Sequence, residues 1–276
     1  MRIRELWSLE DRLAEQALLS CLEHEDLIGC LCAAQAADEA TTTLVRNHVE
    51  RWGRQVAEVS DAERLENPVG ALHGVLVTRA RFRGAVNDYN SPANTRISEV
   101  ILQRRGMPIM LSCLWIAVGR LAGIPVVGLG LPFHFVVRVG GTLGDIVDPF
   151  VLGRTMTVEE CRKLVESASV QKMAWDDRWL EPVSTTDIVR RCLRNMERTA
   201  AMNADHDVAY RTTRLLLSLD PDDVDLQFLV ASHAAKAGAH EESRAWCHAI
   251  IRAHAGTQPA FRAAGMLQRT PDPSRN

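Results

Sequence analysis

The sequence lacks an excess of positive charge and any long uninterrupted apolar run. Its 32 Lys and Arg residues stand against 35 Asp and Glu residues, so the formal net charge is −3 and there is no basic footprint for nucleic acid. The longest apolar stretches are too short or too interrupted to cross a membrane, and the N-terminal MRIRELWSLEDRLAEQ has no signal-peptide core. We therefore expect neither a nucleic-acid partner nor a membrane partner.

The sequence also lacks a cysteine framework and a metal-binding motif. Its seven cysteines are an odd number and are scattered along the chain, which is typical of a protein in a reducing compartment. Cys30 and Cys32 form a C-x-C pair, but no second thiol pair or His stands at ligand spacing, so helix packing is the better interpretation. No HExxH motif occurs either. We expect a cytoplasmic protein with no metal and no cofactor.

What is present is the composition of a globular protein with an ample core. The 276 residues are 46% hydrophobic and 24% charged, which is ordinary for one or two domains. The patterns predict an α+β domain over residues 1–168, a connecting segment over 169–184, an all-α helical array over 185–268 and a flexible tail over 269–276. In the α+β domain, N-terminal helices and a central buried helix are expected to pack on a small antiparallel sheet.

We expect any chemistry of the chain to lie in the stretch from Arg104 to Phe150. Gly106 is suited to end one helix in a left-handed cap, and Pro108 is suited to begin the next, which is apolar nearly all round. Short runs rich in β-branched and aromatic residues then predict three strands, over 124–129, 133–139 and 145–148.

A tight turn at residues 140–142 would set the register of the last two strands. It would place Val136 opposite Ile146 and His134 opposite Asp148, with Cβ atoms about 4.5 to 5.5 Å apart. A carboxylate at that distance orients an imidazole, as in the base and orienter of a nucleophilic site. The pair has no obvious nucleophile beside it.

Three segments of the chain resemble a known family. They are RFRGAVNDYNSPANTRISEVILQRRGMPIMLS (81–112), GIPVVGLGLPFHFVVR (123–138) and DPF (148–150). Together they resemble the transglutaminase-like domain of the SirB type, a branch of the papain-like thiol superfamily that is usually fused to tetratricopeptide-type helices. The resemblance covers about residues 10–255 and implies a transglutaminase-like or papain-like core followed by tetratricopeptide-like helical hairpins.

The resemblance also implies roles for particular residues. In active relatives a Cys at the start of the central helix attacks an acyl group, and here His134 would match the base and Asp148 the orienter. The expected Cys falls at about Pro108, where this chain has no Cys, and SirB-type relatives commonly lack it too. The residues expected to line the cleft are Asn87, Tyr89, Asn94, Arg105, Met107, Pro108 and Met110. The three in the loop before the helix are alternatively plain turn and cap residues.

Cys113 is the thiol nearest to the vacant position. It lies one turn deeper on the same helix face, where the effect of the helix N-terminus has faded and apolar surroundings raise a thiol pKa. We interpret Cys113 as a buried packing residue, with catalysis by this thiol as the alternative. Arg104 and Arg105, just before the helix, either bind an anion near its free N–H groups or are simply solvated.

From residue 185 onward the pattern is helical and repeats itself. Helices are predicted over 187–202, 205–219, 222–237 and 240–254. At an offset of 34 residues AMNADH lines up with AKAGAH and LLLSLDP with AIIRAHA, which is the tetratricopeptide period. Such hairpins stack into a short solenoid that presents a groove.

Two functions remain open for this chain. The first is a diverged, non-catalytic regulatory protein that retains a His–Asp pair and binds a peptide or protein partner through its cleft and helical repeats. The second is an acyl transferase or amide hydrolase that uses His134 and Asp148, with Cys113 or a water as nucleophile. The pair also has a purely structural interpretation, because a buried imidazole held by a carboxylate can pin a hairpin.

Overall fold

The computed structural model describes residues 7–59, 61–169 and 173–271. They fall into two compact units, one formed by Cys21–Cys192 and the other by Met1–Ser20 together with Leu193–Asn276. This boundary differs from the connecting segment over 169–184 that the sequence favours, and the sequence-based domain limits stay a prediction. Residues 1–6, 60, 170–172 and 272–276, on which parts of those predictions fall, lie outside the described residues.

The first unit is mainly helical, and its helices begin at residues that favour helix starts. The helices that lie in it or enter it from the N-terminus are α1 (Leu9–Glu23), α2 (Leu27–Ala34), α3 (Glu39–Ala57), α4 (Asp61–Glu66), α5 (Pro68–His73), α6 (Ile97–Gln103), α7 (Pro108–Leu121) and α8 (Val158–Ala168). Asp26 caps α2 by accepting a hydrogen bond from Gly29 N at 2.9 Å, and Thr157 forms a capping box with Glu160 at α8. A π-helix covers Gly74–Arg79, and short 3-10 helices cover Pro92–Thr95, Pro149–Val151 and Asp177–Leu180.

The central helix α7 is buried nearly all round, as its sequence predicts. It begins with Pro108 in its first turn, and Trp115 and Val118 are at most 2% exposed. It packs against α3, the 149–151 turn and the next strand, which Gly119 lets approach closely, because a Cβ there would lie 2.4 Å from a methyl group of Val126. The core of this unit is therefore built around α7.

Two small sheets accompany the helices, and the α+β prediction is confirmed. Strands β1 (Arg83–Gly84) and β2 (Arg105–Gly106) form a short parallel pair. The other strands form an antiparallel sheet in the order β3 (Val126–Leu129), β4 (Val136–Val139), β5 (Asp145–Asp148) and β6 (Arg154–Met156). One face of this sheet carries an apolar cluster that α8 covers, with Trp175 and Trp179 packed against it. The pair β1–β2 and the strand β6 are not evident in the sequence.

The register of the β4–β5 hairpin differs from the predicted one. Val137 pairs with Val147, so the loop spans five residues, Gly140–Gly144, and the ladder is shifted by two residues. Gly140 and Gly141 have φ angles of +95° and +89°, which glycine adopts readily. A shift by two preserves the face of every side chain, because side chains alternate with a period of two. His134 thus lies before β4 and not directly opposite Asp148 in the ladder.

The end of α6 is also formed differently from the prediction. Arg104, with φ of +58°, is the left-handed cap residue, whereas Gly106 lies in β2. A Cβ on Gly106 would lie 2.8 Å from a methyl group of Val100, so this glycine serves close packing. The cap turns the Arg104 side chain toward α3.

The second unit consists of helices that pack mainly on their neighbours in sequence. They are α9 (Thr185–Met202), which crosses the unit boundary, α10 (His206–Leu219), α11 (Val224–Lys236), α12 (His240–Ala253) and α13 (Gln258–Arg269). The four predicted helices are present, and α13 follows them. Whether they are tetratricopeptide repeats stays a prediction.

The start of the chain belongs to the second unit because a buried ionic network holds it there. Arg214, whose side chain is 4% exposed, pairs with Asp11 at 2.5 Å and with Glu242 at 3.7 Å. Glu242 also accepts hydrogen bonds from Tyr210 and, at 3.0 Å, from the indole of Trp7.

Among the described residues, no helix combines the length and apolarity that a membrane crossing requires.

Candidate functional site

His134 and Asp148 are in hydrogen-bond contact. His134 Nε2 lies 2.9 Å from Asp148 Oδ2, and the side chains are 12% and 1% exposed. The predicted contact is present although the register differs, because His134, in the segment before β4, lies close enough to the end of β5 to reach Asp148. Nε2–H donates to the carboxylate, so Nδ1 is the ring nitrogen on the side away from Asp148. Their catalytic roles stay predictions.

The backbone after β5 holds the carboxylate in place. Asp148 Oδ1 accepts a hydrogen bond from Phe150 N at 2.9 Å and caps the 149–151 turn. Each oxygen of Asp148 thus has a fixed donor, which orients the imidazole that one of them binds.

Arg191, on α9, holds the segment that carries His134. Its Nη2 donates to the carbonyl oxygens of Leu131, at 2.7 Å, and of His134, at 2.6 Å, and its guanidinium carbon lies 5.2 Å from the centroid of the Phe135 ring. Burial lowers the pKa of Arg191. Sequence reasoning missed this residue, since 57 positions separate it from His134 and no local pattern links them.

Phe150 connects His134 with the loop before α6. Its ring meets the imidazole edge-on at 6.0 Å between centroids and meets Tyr89 edge-on at 6.1 Å. Gly84 lies against it, since a Cβ on Gly84 would be 2.6 Å from Phe150 Cδ2. The structure therefore brings Tyr89 near the His–Asp pair through Phe150. Phe150 and Gly84 are further residues of this site, and the DPF and RFRG segments were their signal in the sequence.

The predicted cleft residues of the 87–95 loop have different environments. Asn94 is fully buried, and its Nδ2 donates to the carbonyl oxygens of Asp88, at 2.6 Å, and Tyr89, at 3.3 Å. Arg105 pairs with Asp88 at 3.1 Å, which ties the loop to β2. Asn87 is exposed. Asn94 and Arg105 thus hold the loop in shape, and their part in a cleft stays a prediction.

The residues at the start of α7 that were predicted to line the cleft are buried, and their role in a cleft stays a prediction. Met107 and Met110 are each 1% exposed, and Pro108 is also buried. The apolar first turn of α7 is drawn into the core because no polar side chain keeps it at the surface. Met107 N also donates to the carbonyl oxygen of Asn94 at 3.2 Å. These three side chains line no open surface.

Cys113 does not supply an accessible thiol. It is fully buried, and its thiol is hydrogen-bonded to that of Cys192 on α9. That hydrogen bond and then burial raise the pKa of Cys113 well above the ordinary thiol value. The packing interpretation of Cys113 describes this arrangement, whereas catalysis by this thiol requires a rearrangement of α7 and α9.

No cation site is evident in the described ranges 7–59, 61–169 and 173–271. No group of three or more His, Cys, Asp or Glu side chains there is arranged to hold a metal ion.

Comparison with known proteins identifies relatives of the chain. It is 32% identical to the UPF0162 protein of Xylella fastidiosa strain 9a5c over 185 residues, which are 65% of this chain and 64% of that relative. It is 26% identical to the UPF0162 protein of Pseudomonas aeruginosa over 60% of each chain. It is also 31% identical to human F-box only protein 21 over 117 residues, 39% of this chain and 18% of that protein. No solved structure matches the chain at a significant level.

The chain spans somewhat less than two thirds of the length of the Xylella relatives. Residues 43–194, which are more than half of the chain and include α7 and the antiparallel sheet, match the family described as the transglutaminase-like superfamily. With that match, this chain belongs to the transglutaminase-like superfamily.

Proposed function

We propose that this chain is a non-catalytic transglutaminase-like protein of the SirB type that binds a peptide or protein segment beside His134 and Asp148. The observation that carries the proposal is the placement of its thiols. All seven cysteines lie in the described part of the chain, where six are buried and Cys21 is half-buried. Without an exposed thiol at the start of α7, the acyl transfer of active relatives has no nucleophile.

The surroundings of His134 favour binding of a peptide. Phe150 and Tyr89 provide aromatic surface, and the imidazole held by Asp148 provides an oriented polar group. Apolar surface with a few oriented polar groups is the composition of a recognition site. The helices α9–α13, as tetratricopeptide-type hairpins, would offer the partner a second surface. The scattered cysteines, none of which forms a disulfide in the described part of the chain, favour a cytoplasmic setting.

Peptide binding tests this proposal directly. The full chain is titrated with a blocked glutamine-containing peptide while calorimetry and the ring resonances of His134 are followed. We expect saturable binding that His134→Ala weakens by about tenfold. His24→Ala, which removes an exposed imidazole outside helices α9–α13, is the matched control and leaves the affinity unchanged. Absence of saturable binding, or equal weakening by both variants, contradicts the proposal.

The second candidate function is amide hydrolysis, and the orientation of His134 favours it. With Nε2 held by Asp148, Nδ1 would take a proton from water, whose oxygen would then attack the amide carbon. The C–N bond breaks as that proton passes from Nδ1 to the leaving amine. Pro108 has no N–H and Met107 N is already bonded, so the N–H groups of Ile109 and Met110 would have to stabilise the oxyanion.

Release of amine from the same peptide distinguishes the two functions. A hydrolase releases amine in proportion to enzyme and time, and Asp148→Asn lowers the rate by two or more orders of magnitude, roughly as in other oriented imidazole sites. Binding without amine release supports the non-catalytic function. Release that Asp148→Asn abolishes overturns it.

A further inference from the structure

A cluster of basic side chains lies around two aromatic rings, those of Trp52 and Phe82, which the proposed function does not use. Helix α3 presents His48 and Arg51 next to Trp52, and the left-handed cap of α6 brings in Arg104. The guanidinium carbons of Arg104 and Arg51 lie 5.0 and 5.9 Å from the centroid of the Trp52 ring. Arg104 also lies 5.2 Å from the ring of Phe82. We use the name basic cluster for the side chains of His48, Arg51 and Arg104 together with the rings of Trp52 and Phe82.

The described residues give the two arginines of the basic cluster no counter-charge. Within the ranges that the structure describes, no carboxylate forms an ion pair with Arg51 or Arg104. Arg54, one turn along α3 from Glu50, does have such a partner at 3.6 Å. Two positive charges held close together repel each other, and a bound anion would offset the free energy of that repulsion.

The protonation states show the same imbalance. Burial and then Arg51 lower the pKa of Arg104, and burial, Arg51 and Arg104 in that order lower the pKa of His48. Arg51 Nη2 lies 2.9 Å from His48 Nδ1, and a guanidinium can only donate, so the imidazole is neutral and carries its proton on Nε2. His48 therefore adds an N–H donor to the two guanidiniums.

Arg104 is held in position while part of its hydrogen-bonding capacity is unused. Its Nη1 is buried and has no hydrogen-bond partner among the described residues. Trp52 and Phe82, 2% and 3% exposed, support the guanidinium through cation–π contacts. A guanidinium fixed on aromatic rings needs little ordering when it binds an anion.

We propose that the basic cluster is a binding site for a doubly charged oxyanion of the phosphate class. Two guanidiniums supply the two charges, and their planar forks match the spacing of phosphate oxygens. The Nε2–H of His48 serves a further oxygen. The Arg105 side chain, which the sequence offered as the second arginine of an anion site, pairs with Asp88 instead.

Titration of the full chain with inorganic phosphate tests the site. Calorimetry gives the affinity, and the His48 ring resonances report where the anion binds. We expect saturable binding that shifts the His48 signals, and acetate at matched ionic strength binds at least about tenfold more weakly. Arg104→Gln and Arg51→Gln each weaken phosphate binding by about tenfold or more, because each removes charge-assisted hydrogen bonds.

The matched control is Arg54→Gln, which removes an arginine from the same helix that already has a carboxylate partner. It changes the affinity by less than about twofold. Arg51 is exposed, so Arg51→Gln tests the site even when Arg104→Gln fails to fold.

Three results overturn the proposal. They are no saturable response up to about 10 mM phosphate, equal weakening by Arg54→Gln, and acetate binding as tightly as phosphate. The second would show general attraction to positive surface, and the third would show a carboxylate site.

Discussion

At the residue scale, the carboxylate of Asp148 is 1% exposed, and two hydrogen-bond donors replace the water that burial removes. His134 occupies one of its oxygens and Phe150 N the other. Charge-assisted hydrogen bonds of this kind are about twice as strong as neutral ones, and a buried group that loses its partner costs more than the bond itself contributed.

Asp148→Asn should destabilise the protein. The amide can still accept a hydrogen bond from Phe150 N, but it removes the charge that faces His134, so we expect a loss of about 1 to 3 kcal/mol in the free energy of unfolding. Urea denaturation measures this loss. Asp145→Asn, at the exposed start of the same strand, is the matched control and should change stability by less than about 0.5 kcal/mol. Equal effects of the two substitutions would show that the pair contributes no special stability.

Arg191→Met should loosen the segment that carries His134. The substitution keeps the long apolar stem but leaves the carbonyl oxygens of Leu131 and His134 without their donor, at a cost of about 1 to 3 kcal/mol. His134 N, which donates to Leu131 O at 3.3 Å, should exchange its hydrogen faster in this variant. Arg194→Met, at an exposed position of α9, should leave that exchange unchanged. Unchanged exchange in both variants would rule out the positioning role of Arg191.

At the element scale, the short strand β1 touches the site through Gly84. A Cβ there would lie 2.6 Å from both Phe150 Cδ2 and the carbonyl oxygen of Phe150, so no side chain fits without backbone movement. The parallel pairing of β1 with β2 thus brings the 81–84 segment onto the turn that follows Asp148.

Gly84→Ala should be destabilising, whereas Gly74→Ala should not be. Overpacking at Gly84 costs about 1 to 3 kcal/mol and should also displace Phe150 from His134. Gly74 is helical, with φ of −55°, and a Cβ there meets nothing within 4 Å. Alanine at that position should therefore be neutral or stabilise by up to about 1 kcal/mol. Thermal unfolding of both variants measures the contrast, and a stable Gly84→Ala would mean that Phe150 moves freely.

The hairpin of β4 and β5 shows the limit of local sequence patterns. The bounds of β5 agree with the alternating pattern of residues 145–148. The turn does not, because Gly140 and Gly141 permit either a three-residue or a five-residue loop. The choice between those loops rests on how Val137 and Val147 pack in the core, and no run of neighbouring residues encodes that packing.

At the scale of the whole molecule, the thiols are distributed through the buried interior. Burial raises the pKa of Cys30 to about 12 and the pKa values of Cys32 and Cys161 to about 11. The same thiols in the unfolded chain have the ordinary thiol pKa of about 8.5.

Stability should therefore fall as the solution becomes alkaline. Thiols whose pKa is raised by folding contribute their full stability below about pH 8.5, and this contribution decreases as the pH rises toward the folded-state values of 11 to 12, because only the unfolded chain ionises in that window. Urea midpoints at pH 8, 9 and 10 should decrease in that order at roughly constant m value. Cys161→Ala should show a shallower decrease. A midpoint that stays constant across this range would contradict the burial of the thiols.

The sequence by itself determined the central helix and the family of this protein. The apolar run after Pro108 specified α7, and the residues around His134 and Asp148 pointed to the family that residues 43–194 match. These features lie within short segments, where periodicity, caps and motifs are read directly.

Only the tertiary structure decided which side chains meet. It selected the hairpin register, brought Arg104 and Arg51 to the same Trp52 ring, buried the free thiol of Cys113 and placed Arg191 against the backbone of His134. The physical reason is that these contacts join residues far apart in the chain. Their geometry follows from how helices and strands pack as whole surfaces, and local sequence constrains that packing only weakly.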